Sequence, residues 1–534
     1  MARLANAVRP RLAQAANAVR PRVTRAADAV RPRLARAATA AKPQVARLAR
    51  ISMPKTVKTW QYTAGAATAG LALAATVVTA AGPWDSTGQR TAERDRVAAL
   101  ERTGGADHDG SSGASSVTAD GAPLPAPSAA SVLAGLGGAT NTVKSAPTGR
   151  ALAGVLAPLL KNPALGTRRT AAVVDVATGK RLYAAGADLA LTPASTTKIA
   201  TAVAALSALG ADHRLTTRAA LEPDTNELVL VGGGDPTLTA HPDAEGWASL
   251  RTLADGTAAA LKKRDIREVT LSYDTTLYAG PGLHPIGVND NLAPVTALMT
   301  DEARTDDSTS GPVPRVADPA ADTAREFAVL LKDRGIRTTS PGPSKATGRA
   351  ATLATVSSPP LSALVERMLT NSDNDIAEAL ARQTAVASGE RADFAGAGKA
   401  IGGQLAKLGL PMAGAHFKDG SGLDRADRLT AGLLTALLTK AGDPAHPELR
   451  PVLTGLPVAG FTGTLTSRYA GGAAGIVRAK TGTLTGVNTL AGTVVDQDGR
   501  LLAFAFLTSN TTDPMAAQSA LDRTATALAA CGCR

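Results

Sequence analysis

Aromatic side chains make up only 3% of this 534-residue chain, which also has just two cysteines and six histidines. So few rings exclude a core built on aromatic stacking; with Ala and Gly abundant, the interior has to close tightly on small aliphatic groups. Two cysteines cannot supply the disulfide framework of a small secreted scaffold. They close the chain as CGCR, Cys531 and Cys533, where one intervening residue permits only a strained bridge. The tail is therefore expected to fray. With no histidine beside these cysteines, neither a metal nor a cofactor is expected.

A net charge of +12 could point to nucleic acid or to an anionic membrane, but the charge is not spread over the chain. Residues 1–60 hold eleven Arg and three Lys against Asp28 alone, a net +13, which leaves the other 474 residues at −1. The basic segment is an eleven-residue repeat from Ala5 (ANAVRPRLAQA, ANAVRPRVTRA, ADAVRPRLARA, ATAAKPQVARL), with Pro10, Pro21, Pro32 and Pro43 in register. Eleven is a helical period, yet a proline in each unit breaks or caps each piece. Such an arm suits an anionic lipid surface. Nucleic acid is the competing partner and is not expected.

Residues 63–82, TAGAATAGLALAATVVTAAG, carry no charge and lie between Trp60, Tyr62 and Trp84. Twenty apolar residues with aromatics at both ends read as a transmembrane anchor, here 61–84, rather than a cleaved signal. The positive-inside rule then keeps residues 1–60 in the cytoplasm and exports the rest, giving a single-pass protein of the cell membrane. Residues 85–149 are rich in Gly, Ser, Ala, Pro, Asp and Thr and read as a flexible, disordered stalk.

From about residue 150 the pattern is globular. AAVVDVATGKRLYAAG reads as strand, turn at Ala177–Gly179, strand, and TPASTTKIATAVAALSALG as a helix. On that helix Ser195 and Lys198, three residues apart, share a face. Ser-x-x-Lys alone is weak, since SMPK at Ser52–Lys55 repeats it by chance. Two further stretches give it weight: Ser372-Asp373-Asn374 before a helical run, and Lys480-Thr481-Gly482-Thr483 on an alternating segment. That order is the signature of penicillin-binding proteins and serine β-lactamases.

The intervals narrow the choice. Ser195 to Ser372 is 177 residues, room for an inserted module at about 216–352. With GGGDPTL (232–238), DGSGLDR (419–425), LPVAGFTGTL (456–465) and AKTGTLTG (479–486), the chain resembles the D-alanyl-D-alanine carboxypeptidase/endopeptidase family of low-molecular-mass, class C penicillin-binding proteins. The resemblance covers residues 150–530. It implies an α+β fold: a transpeptidase-like domain of residues 150–215 and 353–534, an antiparallel sheet flanked by helices, with 216–352 as an inserted subdomain. Fuller members of the family carry a longer insertion in two subdomains; here there is material for little more than one.

The resemblance also implies roles. Ser195 is the nucleophile, forming an acyl-enzyme. Lys198 acts as base if burial and the neighbouring cation Lys480 remove its proton. Ser372 relays the proton to the leaving amine and Asn374 holds the substrate amide. Lys480 supplies positive potential, and the Thr481 and Thr483 hydroxyls bind a terminal carboxylate. The N–H groups of Ser195 and Thr483 form the oxyanion hole. Implied partners are peptidoglycan stem peptides and β-lactam inhibitors.

Two other functions compete. A β-lactamase is one, since Asp373 stands where class C relatives often have Asn and class A lactamases have Asp. A wall-binding or membrane scaffold with a degenerate site is the other. Glu378, one turn beyond Asn374, reads as an exposed or capping carboxylate. DGSGLDR reads as a tight turn behind the site, with Ser421 outside the chemistry.

Overall fold

The computed structural model describes residues 147–469 and 472–532. The basic repeat, the apolar segment 63–82, the stalk up to residue 146 and the chance motif at Ser52–Lys55 lie outside the described residues. Among the described residues no helix is long and apolar enough to cross a membrane.

The body opens with α1 (Gly149–Leu160), whose first turn is capped by the Thr148 hydroxyl accepting from Ala151 N–H. A tight turn joins β1 (Arg168–Asp175) to β2 (Arg181–Ala185). A 3₁₀ turn, Ala194–Thr196, then leads into α2 (Thr197–Leu209). Ten successive residues of α2 are buried, as expected of a helix apolar on all sides, and Gly210 at φ +87° ends it.

The inserted module follows as β3 (Thr216–Leu221), β4 (Glu227–Val231), α3 (Leu250–Lys262), β5 (Glu268–Asp274), α4 (Pro319–Asp333), the two-residue strands β6 (Arg337–Thr338) and β7 (Gly342–Pro343), and β8 (Ala351–Ser357). Its strands run in the order β6-β5-β4-β3-β8, with β4 and β5 parallel across the α3 crossover and β7 beside β5. The first strand of the module pairs with the last, β3 with β8, so the chain leaves and rejoins the body at one place. The expected boundary at residue 352 falls inside β8, which runs to Ser357.

The body resumes with α5 (Leu361–Asn371), α6 (Asn374–Ala387), α7 (Phe394–Lys407), α8 (Ala431–Gly442), the single turn α9 (Pro451–Thr454), β9 (Val477–Leu484), β10 (Val487–Val495), β11 (Leu501–Ser509) and α10 (Pro514–Ala529). Strands from both ends of the sequence make one antiparallel sheet, β2-β1-β11-β10-β9. The fold is α+β, as expected.

Period-two alternation splits the two faces of this sheet. Ala172, Ala491, Ala503 and Ala505 pack with α2, α5, α6 and α8, whereas Val173, Leu490, Phe504 and Phe506 pack with α1 and α10. Alanines on one face let α8 approach the strands closely. The Phe504–Phe506 pair, 5.1 Å between ring centroids, fills the wider gap on the other. Each fully buried Leu or Phe side chain contributes roughly 2 kcal/mol. Cys531, expected in a fraying tail, is buried in the α10 layer and disulfide-bonded, while Cys533 lies outside the described residues.

Candidate active site

The turn before α2 is held from three sides. Ala194 lies at φ +48°, a conformation that non-glycine residues rarely adopt without support. The support is packing. Thr489 Oγ1 on β10 donates to the Pro193 carbonyl at 2.8 Å. A side chain at Gly482 of β9 would stand 2.7 Å from that carbonyl, and one at Gly422 (φ +82°) would overlap the Ala194 carbonyl. Ser195 is thereby set half-buried at a cavity, with Lys198 fully buried one turn further along α2.

The Lys198 amine donates to Ser195 Oγ at 3.3 Å, to Asn374 Oδ1 at 2.6 Å and to the Ser421 carbonyl at 2.7 Å. Burial lowers its pKa to about 8, while Asp419, Glu378, Asp373 and Asp375 pull it upward.

Ser372 ends α5 in the left-handed region at φ +59°, and the next residue, Asp373, caps α6 by accepting from Ile376 N–H at 2.9 Å. Asn374 thus begins α6, and its Nδ2 donates to the Asn291 carbonyl of the inserted module at 2.9 Å. The amide is fixed between Lys198 and the insertion. Behind it Glu302, Asp373 and Asp375 bring carboxylate oxygens within 4.8 Å of one another. Arg367 donates to Glu302 at 2.7 Å and Arg315 to Asp375 at 2.9 Å. Burial, then Asp373, pushes Glu302 up to about 9, so it keeps a proton in this cluster. Guanidinium groups already occupy the place a metal cation would take.

On β9, Thr483 is exposed toward the cavity, and the Thr481 hydroxyl donates to Thr464 Oγ1 at 3.0 Å. Lys480 is fully buried, and its amine donates to the Thr481 carbonyl at 2.9 Å. Burial, then Lys198 and Arg468, lowers it well below its ordinary value. The expected influence of Lys480 on Lys198 is thereby turned round. Burial drives both amines toward neutrality, and only Lys198 has carboxylates behind it to retain its proton.

A cavity of about 310 Å³ gathers these groups: Ser195, Ser372, Asn374 and Thr483 from the motifs, Leu423 and Thr464, and Asn291, Arg304 and Arg315 from the insertion. Lys198 lies beneath it. Lys480 and Thr481 are not among its lining residues; Thr481 reaches it through Thr464.

Two expectations are corrected. Glu378 is neither exposed nor a cap: it is fully buried, and its Oε1 accepts from Gly420 and Ser421 N–H at 3.0 and 2.8 Å. Burial, then Asp419, raises it to about 7. Ser421 belongs to the site through its backbone, because its carbonyl holds the Lys198 amine. The DGSGLDR turn carried that signal, but side-chain reasoning passed over a main-chain oxygen. His284, Glu378 and Asp419 also approach within 4.8 Å. Both Asp419 oxygens are taken by Gly422 and Asp424 N–H, with His284 on the second, and only Glu378 Oε2 has no partner. One open oxygen is too few to hold a metal ion.

Residues 152–312 and 303–529 match the model of the D-Ala-D-Ala carboxypeptidase 3 (S13) family.

The chain belongs to that family.

Similar proteins include carboxypeptidase DacB of Mycolicibacterium smegmatis, 39% identical over 405 residues, covering 72% of this chain and 85% of the relative. The D-alanyl-D-alanine carboxypeptidase of an Actinomadura species is 30% identical over 463 residues, covering 68% and 82%. In fold, penicillin-binding protein 4 of Haemophilus influenzae superposes with a TM-score of 0.58 at 20% identity, covering 71% of this chain and 98% of that one. The enzyme is a D-Ala-D-Ala carboxypeptidase of the serine S13 class, which sets aside the β-lactamase and scaffold readings.

Proposed function

We propose that the enzyme acylates Ser195 with the penultimate D-Ala of a peptidoglycan stem peptide, releases the last D-Ala, and cuts cross-links by the same route. The single observation that carries this is the Lys198 amine, bonded at once to Ser195 Oγ and Asn374 Oδ1 and buried enough to lose its proton near pH 8. In its neutral form it takes the Ser195 proton as the hydroxyl attacks the carbonyl carbon. The developing oxyanion is met by the Ser195 and Thr483 N–H groups. The proton passes through Ser372 to the departing amine. Asn374 and Thr483 hold the peptide, and Thr481 fixes Thr464 at the rim. A substrate carboxylate arriving at β9 restores the Lys480 proton by opposite charge, so that positive potential develops on binding. Water then hydrolyses the ester.

β-Lactams enter the same path and remain on Ser195. The enzyme is exported and held by residues 61–84, with 85–149 as its tether and residues 1–60 on the anionic inner leaflet; the +13 charge of that arm supports the last point.

The full-length chain is expected to bind fluorescent penicillin stoichiometrically and to float with anionic but not neutral vesicles. Absence of label, or equal labelling of Ser195→Ala, overturns the nucleophile; equal flotation with both vesicles overturns the electrostatic arm.

A further inference from the structure

The stretch LPVAGFTGTL, residues 456–465, supplies no group to the acylation above, yet it lies along β9. Val458 bridges Arg478 antiparallel: Ala459 N–H donates to the Val477 carbonyl at 2.9 Å, and Ala479 N–H donates to the Pro457 carbonyl at 3.0 Å. β9 ends the sheet, with β10 on its inner side. Successive residues of an antiparallel strand turn their N–H and carbonyl groups to alternate sides. With Ala479 facing outward, Thr481 and Thr483 face outward too. Among the described residues, the short segment therefore fills the outer edge of β9 up to Ala479 and leaves it open from Lys480 to Leu484.

The segment is pinned at both ends. Thr462 Oγ1 accepts from Val458 N–H at 2.8 Å, which tightens the turn behind it. Gly463, at φ +54°, sits so close to α5 that a side chain there would overlap the Thr370 carbonyl. At the other end the Thr370 hydroxyl donates to the Gly455 carbonyl at 2.9 Å. The turn thus delivers Thr464 to the cavity wall, where its hydroxyl accepts from Thr481 at 3.0 Å.

We propose that residues 456–465 form a stop at the leaving-group end of the site, admitting one amino acid with a free carboxylate and rejecting a peptide that continues. This rests on the acyl-enzyme reading above. With the acyl carbonyl at the Thr483 N–H and the carboxylate at Thr481, the peptide runs antiparallel to β9. Its C-terminal end then points at the segment. Each strand residue advances about 3.3 Å, so a further main-chain residue meets Thr464, and beyond it an edge whose donors and acceptors Pro457 and Ala459 already hold.

The test compares two substrates of the full-length chain: a stem peptide ending in D-Ala-D-Ala, and the same peptide with glycine added after the last D-Ala. Wild type is expected to cut the D-Ala–D-Ala bond of the first at least about 10²-fold faster in kcat/KM. Thr464→Ala opens the wall and removes the partner of the Thr481 hydroxyl. It is expected to raise KM on the terminal peptide by roughly threefold to tenfold, with a smaller effect on kcat, for one neutral hydrogen bond lost. Its preference for the terminal peptide should fall by about tenfold. Thr464→Ser keeps the hydroxyl and restores KM. Equal cutting of both peptides by wild type, or a preference that Thr464→Ala leaves unmoved, overturns the stop. Cleavage of neither peptide overturns the acyl-enzyme reading on which the stop rests. Should Thr464→Ala fail to fold, amide exchange in the Ser195→Ala chain, which cannot acylate, decides. The Thr481 N–H then slows with the terminal peptide and not with the extended one; equal slowing by both overturns the stop.

Discussion

Lys198 and Lys480 are both fully buried lysines at one active site, yet their surroundings differ. Lys198 donates to a hydroxyl, an amide and a carbonyl, with four carboxylates behind it. Lys480 donates to one main-chain carbonyl, and Lys198 and Arg468 are the charges acting on it. Burial alone would make the two alike. The carboxylates hold Lys198 at about 8 against its burial, whereas among the described residues nothing acidic offsets the burial of Lys480, which under the proposed function awaits a negative charge brought by the substrate.

The largest expected effect separates the two amines. Lys198→Ala should slow acylation by about 10³-fold on every substrate, the scale of a lost general base. Lys480→Ala should cost about 10²-fold on peptides ending in a free carboxylate and little once that end is amidated, because a buried charge-assisted contact is worth a few kcal/mol. Steady-state kinetics on matched acid and amide peptides measures both. Equal losses on both peptides for both variants would erase the distinction.

A smaller effect tests the backbone that delivers Ser195 and Ser421. At Gly422 an added methyl overlaps the Ala194 carbonyl at φ +82°, whereas at Gly403 on α7 nothing lies within 4 Å. Gly422→Ala should lose about 2–4 kcal/mol by urea unfolding, and Gly403→Ala should gain about 0.5–1 kcal/mol from helix propensity. Loss at both sites would mean that the close approach around Ser195 is not special.

The smallest effect sharpens the electrostatic contrast through stability. Glu378 keeps its proton up to about 7 when folded but releases it above 4.5 when unfolded. Between those values the folded state binds more protons, so stability falls as pH rises. Lys198 has the opposite sign: its folded value of about 8 lies below 10.5, so stability rises with pH between the two. Glu378→Gln should remove roughly 2 kcal/mol of the acid-side slope in a pH series of urea midpoints; an unchanged slope refutes the assignment.

Much of the site was legible because three motifs each sit at an element boundary with its own local signal. Pro193 precedes the α2 turn, Asp373 is a capping residue, and the alternation of residues 477–484 marks β9. Glu378 was misread because its periodicity on α6 cannot say which neighbour covers it. Asn291, Arg304 and Arg315 went unnoticed because they lie in irregular chain of the insertion, where no period betrays a direction.

By itself the amino-acid sequence determined the family, the three motifs in their order, the strand and helix of each motif, and the existence of an insertion, since all of these rest on spacing along the chain. Tertiary structure alone decided that α6 buries Glu378 under the Ser421 turn, that an insertion histidine meets Asp419, and that Lys198 rather than Lys480 faces the carboxylates. Those are contacts between residues 42 to 223 positions apart, and an electrostatic field depends on distance in space, which no local pattern records.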